Sequence, residues 1–193
     1  MNFYLLDTMG EPDEDLCLLD NFVEGIDRYS WRIQRGVPLA SDWPVDAKIF
    51  MSLDMPGIKL ASLIGNTESM LVVVKELKDV IQEHCRNDIE YLPFTLYDHR
   101  KRVRSRDYFI INPIGTQDCL DLQASTIVWD ENDPTNVIAV NKHVLQRDKV
   151  SDAPPLFRIN KDSSEYLVRT DLAQAIYKGG FTNILWRKLP FNS

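Results

Sequence analysis

The stretch Met70-Leu-Val-Val-Val74 runs without a break into Lys75-Glu-Leu-Lys-Asp-Val-Ile-Gln-Glu-His-Cys85, and this junction decides the fold class. The first segment is apolar and rich in β-branched side chains, which is typical of a buried strand. In the second segment, apolar residues such as Leu77 and Ile81 recur at helical spacing, with charged residues on the opposite side. The sequence therefore predicts a strand that leads into an amphipathic helix over residues 75–86.

Two pairs of β-forming segments follow this helix, and each pair is joined by a polar connection. Residues 89–97 and 107–112 flank the basic run His99-Arg-Lys-Arg-Val-Arg-Ser-Arg106, a pattern that predicts a hairpin with the basic run at its tip. Residues 126–129 and 137–140 flank a connection rich in Asp, Asn and Pro, which predicts a second hairpin.

A second helix is predicted near the end of the chain, over residues 171–178. Thr170 is its expected N-cap, and Gly179-Gly180 its expected stop. Further strands are expected at residues 3–6, 29–34, 49–53, 156–159, 166–168 and 182–187. Because strands and helices do not alternate regularly, the pattern favours an α+β fold, with largely antiparallel sheets of short strands and two main helices.

The formal charge of −7 is concentrated in one part of the chain. Residues 1–27 contain no Lys or Arg. Their acidic residues are Asp7, Glu11, Asp13, Glu14, Asp15, Asp20, Glu24 and Asp27. Such a stretch is either a polar segment that only aids solubility or an acidic face that attracts a basic partner through long-range steering.

Three aromatic residues, Tyr29, Trp31 and Trp43, follow the acidic stretch closely. Aromatic side chains often supply much of the binding energy at the centre of a protein interface, although these three could equally belong to the core. The candidate partner-binding residues are therefore Glu11, Asp13, Glu14, Asp15, Asp20, Glu24, Asp27, Tyr29, Trp31 and Trp43.

The sequence lacks the usual signatures of metal, cofactor and membrane binding. Cys17, Cys85 and Cys119 are too scattered for metal-ligand or redox spacing, and the three histidines fall in different segments. No glycine-rich phosphate loop and no apolar run long enough to span a membrane is present. We therefore expect no metal and no cofactor, and a cytoplasmic location, since residues 1–7 do not resemble a signal peptide.

Two other kinds of activity have some support in the sequence. Asp118, Asp121 and His143 are candidates for the titratable groups of a hydrolase, although carboxylates at this spacing commonly cap turns. The basic run, residues 100–106, is a candidate nucleic-acid patch, although the acidic chain as a whole and the lack of interleaved aromatics count against it. The simplest alternative for this run is a solvated loop paired with the acidic N-terminal region.

The order of several segments resembles a family of bacterial polymorphic-toxin immunity proteins. The matching segments are the helix 75–85 followed by Ile89-Glu-Tyr-Leu-Pro93, then Asp107-Tyr-Phe-Ile-Ile-Asn-Pro113, Asp118-Cys-Leu-Asp-Leu122, Leu156-Phe-Arg-Ile159 and the helix 171–178. The resemblance covers roughly residues 65–187. We expect residues 1–60 to pack on this core, so that residues 1–193 form a single domain.

The resemblance implies a cytoplasmic protein that binds a cognate toxin domain and neutralises it without enzymatic activity. We expect the toxin to be a nuclease, since the concentration of acids in residues 7–27 would suit occlusion of a basic active-site cleft. No nucleic acid and no membrane is an expected partner. The alternatives are a hydrolase that reverses a covalent modification made by the toxin, and a nucleic-acid-binding regulatory module that uses residues 100–106.

The segments that carry the resemblance also suggest structural roles for their polar residues. Asn112-Pro113 is expected to end a strand, with the Asn side chain bonded to local backbone. Phe157 is expected in the core, and Arg158 on the opposite face of the strand, where it would pair with Asp118 or Asp121.

Overall fold

A computed structural model describes residues 1–192. The strands are β1 (Phe3–Leu6), β2 (Leu18–Leu19), β3 (Lys48–Phe50), β4 (Leu63–Asn66), β5 (Leu71–Val74), β6 (Ile89–Tyr97), β7 (Val103–Pro113), β8 (Thr126–Trp129), β9 (Val137–Lys142), β10 (Leu156–Ile159), β11 (Asp162–Arg169) and β12 (Trp186–Lys188). The α-helices are α1 (Ser30–Gln34), α2 (Lys75–His84) and α3 (Thr170–Lys178). Short 3-10 turns cover Asp27–Tyr29, Ala40–Asp42 and Asp148–Val150.

The strands form two main sheets and a separate hairpin. The larger sheet has the order β2-β4-β5-β7-β6-β3, in which β2 and β3 pair in parallel with β4 and β6 while the other pairs are antiparallel. The smaller sheet, β10-β11-β1-β12, is antiparallel throughout. With the antiparallel hairpin β8–β9, this arrangement confirms the α+β class and its largely antiparallel sheets.

The junction between β5 and α2 lies where the sequence predicts it. Strand β5 is apolar at every position because both of its faces are covered. Its alternate side chains point to opposite sides: Val72 packs with residues of the N-terminal segment, and Leu71 and Val73 pack against the two long helices. The larger sheet is therefore the middle layer of the molecule.

Each side of the sheets has its own apolar cluster. On one side of the larger sheet, Phe22, Ile33 and Leu39 pack with apolar side chains of its strands. On its other side, α2, α3 and the smaller sheet pack together. A third cluster fills the far face of the smaller sheet, where Phe157 contributes as predicted. The N-terminal segment thus packs against one face of the larger sheet.

The predicted strand at residues 29–34 is wrong: this segment is the end of a 3-10 turn followed by the helix α1. Tyr29, Trp31 and Ile33 are two residues apart, as side chains on one face of a strand would be. Tyr29 and Ile33 are also four residues apart, which places them on one face of a helix. In the structure Ile33 is buried, Tyr29 packs beside the same cluster, and Trp31 is 47% exposed. The fold therefore has three α-helices rather than two.

Two local predictions at the ends of elements also differ from the structure. Strand β7 begins at Val103, so the hairpin tip comprises residues 98–102, and Arg104 and Arg106 lie on the strand. Thr170 is the first residue of α3 and does not cap it. Its hydroxyl instead donates to the Asn2 carbonyl (2.9 Å) and accepts from the Asn2 amide (3.0 Å), which fastens the start of β1. Gly179 ends α3 as predicted.

A buried arginine links the two sheets. Arg158 on β10 is fully buried, and its guanidinium donates to the Tyr166 hydroxyl (2.7 Å), the Ser163 carbonyl (2.8 Å) and the Pro113 carbonyl (3.1 Å). It also donates to the side-chain oxygen of Asn112 on β7 (3.2 Å). The predicted pairing with Asp118 or Asp121 is therefore wrong, because the strand directs Arg158 towards the larger sheet.

Asn112 extends this network to the N-terminal segment. Its amide nitrogen donates to the Val37 carbonyl (3.1 Å) and to the Glu90 carboxylate (3.0 Å), so its bonds are long-range and not local as predicted. Glu90 accepts in turn from the backbone amides of Leu39 (2.9 Å) and Ala40 (2.9 Å). A positive and a negative charge are thus joined through one amide side chain, and together they fix residues 37–40 on the sheet.

We expect Arg158→Met to lower the free energy of unfolding by about 3–5 kcal/mol, because it leaves several buried acceptors unpartnered. The matched control is Arg187→Met on β12, where the side chain is exposed and the expected change is below about 0.5 kcal/mol. Urea titration followed by tryptophan fluorescence measures both. Equal stability of the two variants would contradict the role given to Arg158.

Candidate partner-binding surface

The predicted acidic residues are all exposed, and the fold gathers most of them around one loop. Glu14 and Asp15 line a cleft of about 720 Å³ together with Asp54. Asp54 also lines a neighbouring cleft of about 460 Å³, whose acidic residues are Asp20, Glu24 and Asp27. Glu11 and Asp13 lie along a separate cleft. Five of the predicted acids and Asp54 therefore flank the loop formed by residues 52–58, which we call the docking loop.

The docking loop exposes three large apolar side chains. The exposed fractions are 76% for Leu53, 54% for Met55 and 57% for Ile58. None of the three is among the candidate partner-binding residues predicted from the sequence. Large apolar residues on both sides of a Pro-Gly turn were a usable signal, because a turn leaves them without a sheet face to cover them.

Hydrogen bonds hold the docking loop against the acidic N-terminal stretch, residues 7–27, which we call the acidic segment. Ser52 is buried, and its hydroxyl donates to the Asp20 carboxylate and accepts from the Met55 amide (3.1 Å). This hydroxyl lowers the pKa of Asp20 below its ordinary value. The Lys59 amide donates to the Asp15 carbonyl (2.9 Å), and the Lys59 ammonium pairs with Asp13 (3.3 Å). The loop therefore presents its apolar residues in a fixed position beside the acids.

Gly57 is where the docking loop and the acidic segment come closest. A Cβ at this position would lie 2.1 Å from the Leu16 carbonyl oxygen. Backbone this close excludes any side chain, so glycine is required by the close approach.

Of the three aromatic candidates, Trp31 is the most exposed, with 47% of its surface accessible to solvent. Trp43 packs edge-on against Phe22 at a centroid distance of 6.3 Å, and its indole N–H donates to the Pro93 carbonyl (2.7 Å). Tyr29 is half-buried against the N-terminal cluster, with the Arg28 guanidinium 4.7 Å from its ring centroid. These contacts favour a core role for Tyr29 and Trp43, which was the alternative for them, and leave Trp31 as a candidate anchor.

The basic hairpin tip lies on the other side of the docking loop. A cleft of about 470 Å³ is lined by Ile58 from the loop and by His99, Arg100, Arg102 and Arg104 from the hairpin. The His99 ring Nε2 donates to the Ser52 carbonyl (2.8 Å), which ties the tip to the base of the loop. Within the described residues the basic run pairs with Asp98 through Arg102 (2.8 Å), not with the acidic N-terminal region.

Asp98 orders the hairpin tip. Its carboxylate accepts from the backbone amides of Arg100 (2.9 Å) and Arg102 (2.9 Å) and from the Arg102 side chain (3.0 Å). These bonds, led by the Arg102 amide, lower the pKa of Asp98 to about 2. The tip is thus held in shape by an ionised carboxylate over the whole neutral pH range.

The hydrolase candidates each have a separate structural partner. Asp118 pairs with Lys149 (2.8 Å), and Asp121 accepts from the amides of Gln123 and Ala124 (both 2.9 Å). His143 is buried and donates from Nε2 to Asp162 (2.7 Å). The two amide bonds lower the pKa of Asp121, which fits a carboxylate that caps a turn.

Within residues 1–192, no group of His, Cys, Asp and Glu side chains is placed to hold a metal ion. Burial raises the pKa of Cys17 and Cys119 to about 12 and that of Cys85 to about 11. A thiol this weakly acidic is a poor nucleophile and a poor ligand at neutral pH. Among the described helices, none has both the length and the apolar character needed to cross a bilayer.

A family model described as an immunity protein family, Imm11, matches residues 26–190. The chain belongs to the Imm11 immunity protein family. No curated protein matches the sequence. The Imm11 match confirms the resemblance drawn from residues 65–187 and extends it towards the N-terminus. It includes the docking loop and the basic tip, whereas the acids from Glu11 to Glu24 precede it.

We expect the order of the hairpin tip to be lost only at very low pH. Because the folded-state pKa of Asp98 is below the ordinary 3.8, its stabilisation is complete above that value and disappears as the pH falls through about 2. An NMR titration of the Asp98 carboxyl carbon and of the Arg100 and Arg102 amides measures this, with cross-strand amides of β6 and β7 as a control for global folding. A midpoint near 3.8 would contradict the assigned hydrogen bonds.

Proposed function

We propose that this Imm11 protein binds the toxin domain of a bacterial antagonistic system and neutralises it without enzymatic activity. Membership of an immunity family implies a toxin protein as the partner. We assign toxin binding to the surface around the docking loop. The observation that supports this assignment is that exposed apolar residues of the loop lie between two acidic clefts and are held there by hydrogen bonds. A preorganised apolar centre with a charged rim suits tight protein binding.

The acids around the docking loop, which we call the acidic rim, favour a nuclease as the toxin. They are Glu14, Asp15, Asp20, Glu24, Asp27 and Asp54. A nuclease has to attract a polyanion, so its active-site cleft is basic. Carboxylates of Asp20, Glu24, Asp27 and Asp54 around one cleft could occupy the positions of phosphates in such an active site. Inhibition by occlusion requires about 800 Å² buried on each partner. The docking loop with its rim supplies both the charge and the apolar centre for such an interface.

Contacts of the titratable residues support an inhibitor over a hydrolase. Asp121 is engaged by two backbone amides, Asp118 by Lys149 and His143 by Asp162, so each is bound to a separate partner. A general acid and base need free access to one reacting group. These residues are better explained as parts of the fold around the third apolar cluster.

We propose that the protein acts in the cytoplasm, where it would meet an incoming toxin. We also propose that the acidic segment belongs to the same domain as residues 65–187. Strand β1 lies inside the smaller sheet, while β2 and β3 are the two edges of the larger sheet. Residues 1–60 therefore complete both sheets, which supports a single domain over residues 1–193.

The resemblance to polymorphic-toxin immunity proteins implies that the toxin is encoded beside this protein. The direct test is therefore co-expression with the product of the adjacent upstream gene. We expect a stable 1:1 complex on size-exclusion chromatography and growth of cells that the gene product alone would kill. Neither complex nor protection would overturn the proposed function. If the toxin keeps full activity in vitro while it is in the complex, the proposed occlusion of its active site is wrong.

Reversing the charge of Glu14, Asp15 and Asp54 to Lys should slow association with this toxin by about tenfold at low salt, because these exposed carboxylates line one cleft beside the docking loop and rim charges act mainly on the association rate. The effect should shrink as ionic strength rises. A matched triple variant reverses Glu83, Glu131 and Asp152, which are exposed elsewhere on the surface. Stopped-flow mixing of each variant with toxin measures the rate, and equal slowing by both variants would refute a localised acidic rim.

A further inference from the structure

The docking loop separates two surfaces of opposite charge. Ile58 lines the cleft that contains Glu14, Asp15 and Asp54, and it also lines the cleft that contains Arg100, Arg102 and Arg104. The acidic and basic clefts therefore meet at one exposed apolar side chain. The sequence suggested direct pairing of the basic run with the acidic N-terminal region, whereas the fold places the two clefts side by side with Ile58 between them.

We propose that the basic cleft is the second half of the docking surface and that it receives an acidic segment of the same toxin domain. This inference rests on the proposed function and adds to it a partner whose surface is itself divided by charge. Such a partner would place a basic region over the acidic clefts, an apolar region over the docking loop and carboxylates over the arginines.

The arginines of the basic cleft are available for a partner. Arg100, Arg102 and Arg104 are all exposed, and within the described residues Arg100 and Arg104 form no ion pair. Arg102 forms its pair with Asp98, the residue that holds the tip in shape. Two guanidinium groups are thus free to bind carboxylates, which they can grip through paired N–H donors.

The backbone around these arginines is held by hydrogen bonds before a partner binds. Asp98 bonds the amides of the tip, and His99 bonds the Ser52 carbonyl at the base of the docking loop. Ser52 in turn bonds Asp20 and Met55. One chain of hydrogen bonds therefore runs from the acidic segment through the loop to the basic tip. A rigid surface loses less entropy on binding than a mobile one.

An acidic protein segment fits this cleft better than a nucleic acid does. Asp98 lines the cleft beside the arginines, and Asp54, Glu14 and Asp15 lie just beyond Ile58. A polyphosphate chain that leaves the short basic cleft would meet these carboxylates and be repelled. A folded protein can instead match each charge in turn, because its own surface carries both signs.

The consequence for recognition is a fixed orientation. A partner that offers only a basic face could bind the acidic rim in more than one orientation. A partner with a basic and an acidic region can match both clefts in only one orientation, because turning it round would bring like charges together. Like charges brought together in that arrangement are repulsive and disfavour a wrong partner. The basic cleft therefore contributes to specificity for one toxin over others with similar basic clefts.

The test compares two double variants with the same charge change. Arg100→Glu with Arg104→Glu alters the cleft, while Lys101→Glu with Arg106→Glu alters exposed residues of the same run that do not line it. Both variants should keep the melting temperature of the parent protein, since all four side chains are exposed. The probe is the toxin domain encoded by the upstream gene, titrated at low and at physiological salt.

We expect the cleft variant to bind at least about tenfold more weakly and the control to change less than about threefold, because only the cleft residues would face carboxylates. Lys substitution of the toxin acid that faces the cleft should restore binding of the cleft variant. Equal affinity of the two variants for the toxin would overturn the inference and leave the proposed function standing. No toxin binding by the parent protein would overturn both.

A short single-stranded oligonucleotide is the second probe. We expect no binding to the parent protein at physiological salt. Salt-dependent binding that the cleft variant loses and the control keeps would overturn the assignment to an acidic protein segment in favour of a polyanion site.

Discussion

The structure depends on a buried guanidinium that has no carboxylate in direct contact. Arg158 is fully buried between the two sheets, where transfer of a charge out of water costs several kcal/mol unless its donors are all occupied. Acceptors on β7 (Asn112 and Pro113) and on β11 (Ser163 and Tyr166) occupy them. The positive charge is balanced by Glu90, which Asn112 bonds through its amide nitrogen. Such a network is satisfied in one arrangement of the sheets and disrupted in others.

The same network determines where the N-terminal segment lies. Glu90 accepts from the backbone amides of Leu39 and Ala40. Asn112 donates to the Val37 carbonyl. Gly36 has a left-handed backbone, with φ at +63°, and a Cβ there would lie 2.9 Å from the Arg158 side chain and from two carbonyl oxygens. Glycine at this position lets the segment pass directly over the buried arginine. From there the chain continues into β3 and the docking loop, so the buried network supports the surface to which we assign toxin binding.

The proposed docking surface makes use of features that are usually avoided on a stable monomer. Exposed Leu53, Met55 and Ile58 lie together in a loop that is bonded at both ends and flanked by opposite charges. Apolar groups in such a position add little to stability and suit recognition of another protein. None of the residues of the buried network lies in the docking loop, so substitutions in the loop can alter the proposed binding surface without removing a partner of Arg158.

Elements whose pattern is local follow from the amino-acid sequence alone. Strands β1 and β5, the helices α2 and α3 and both hairpins were predicted because their apolar residues follow a period of two or of 3.6 over several residues. The family resemblance also came from the order of such segments. The tertiary structure alone decided what depends on distant residues. Alternation at residues 29–34 fitted a strand until burial of Ile33 beside Tyr29 selected a helix, and Arg158 bonds Asn112, a residue 46 positions away. The docking loop owes its position to Ser52, Asp20 and His99, which no local pattern connects. Local patterns record which side chains avoid water, whereas the partners of buried polar groups and the neighbours of exposed ones are set by the packing of the whole chain.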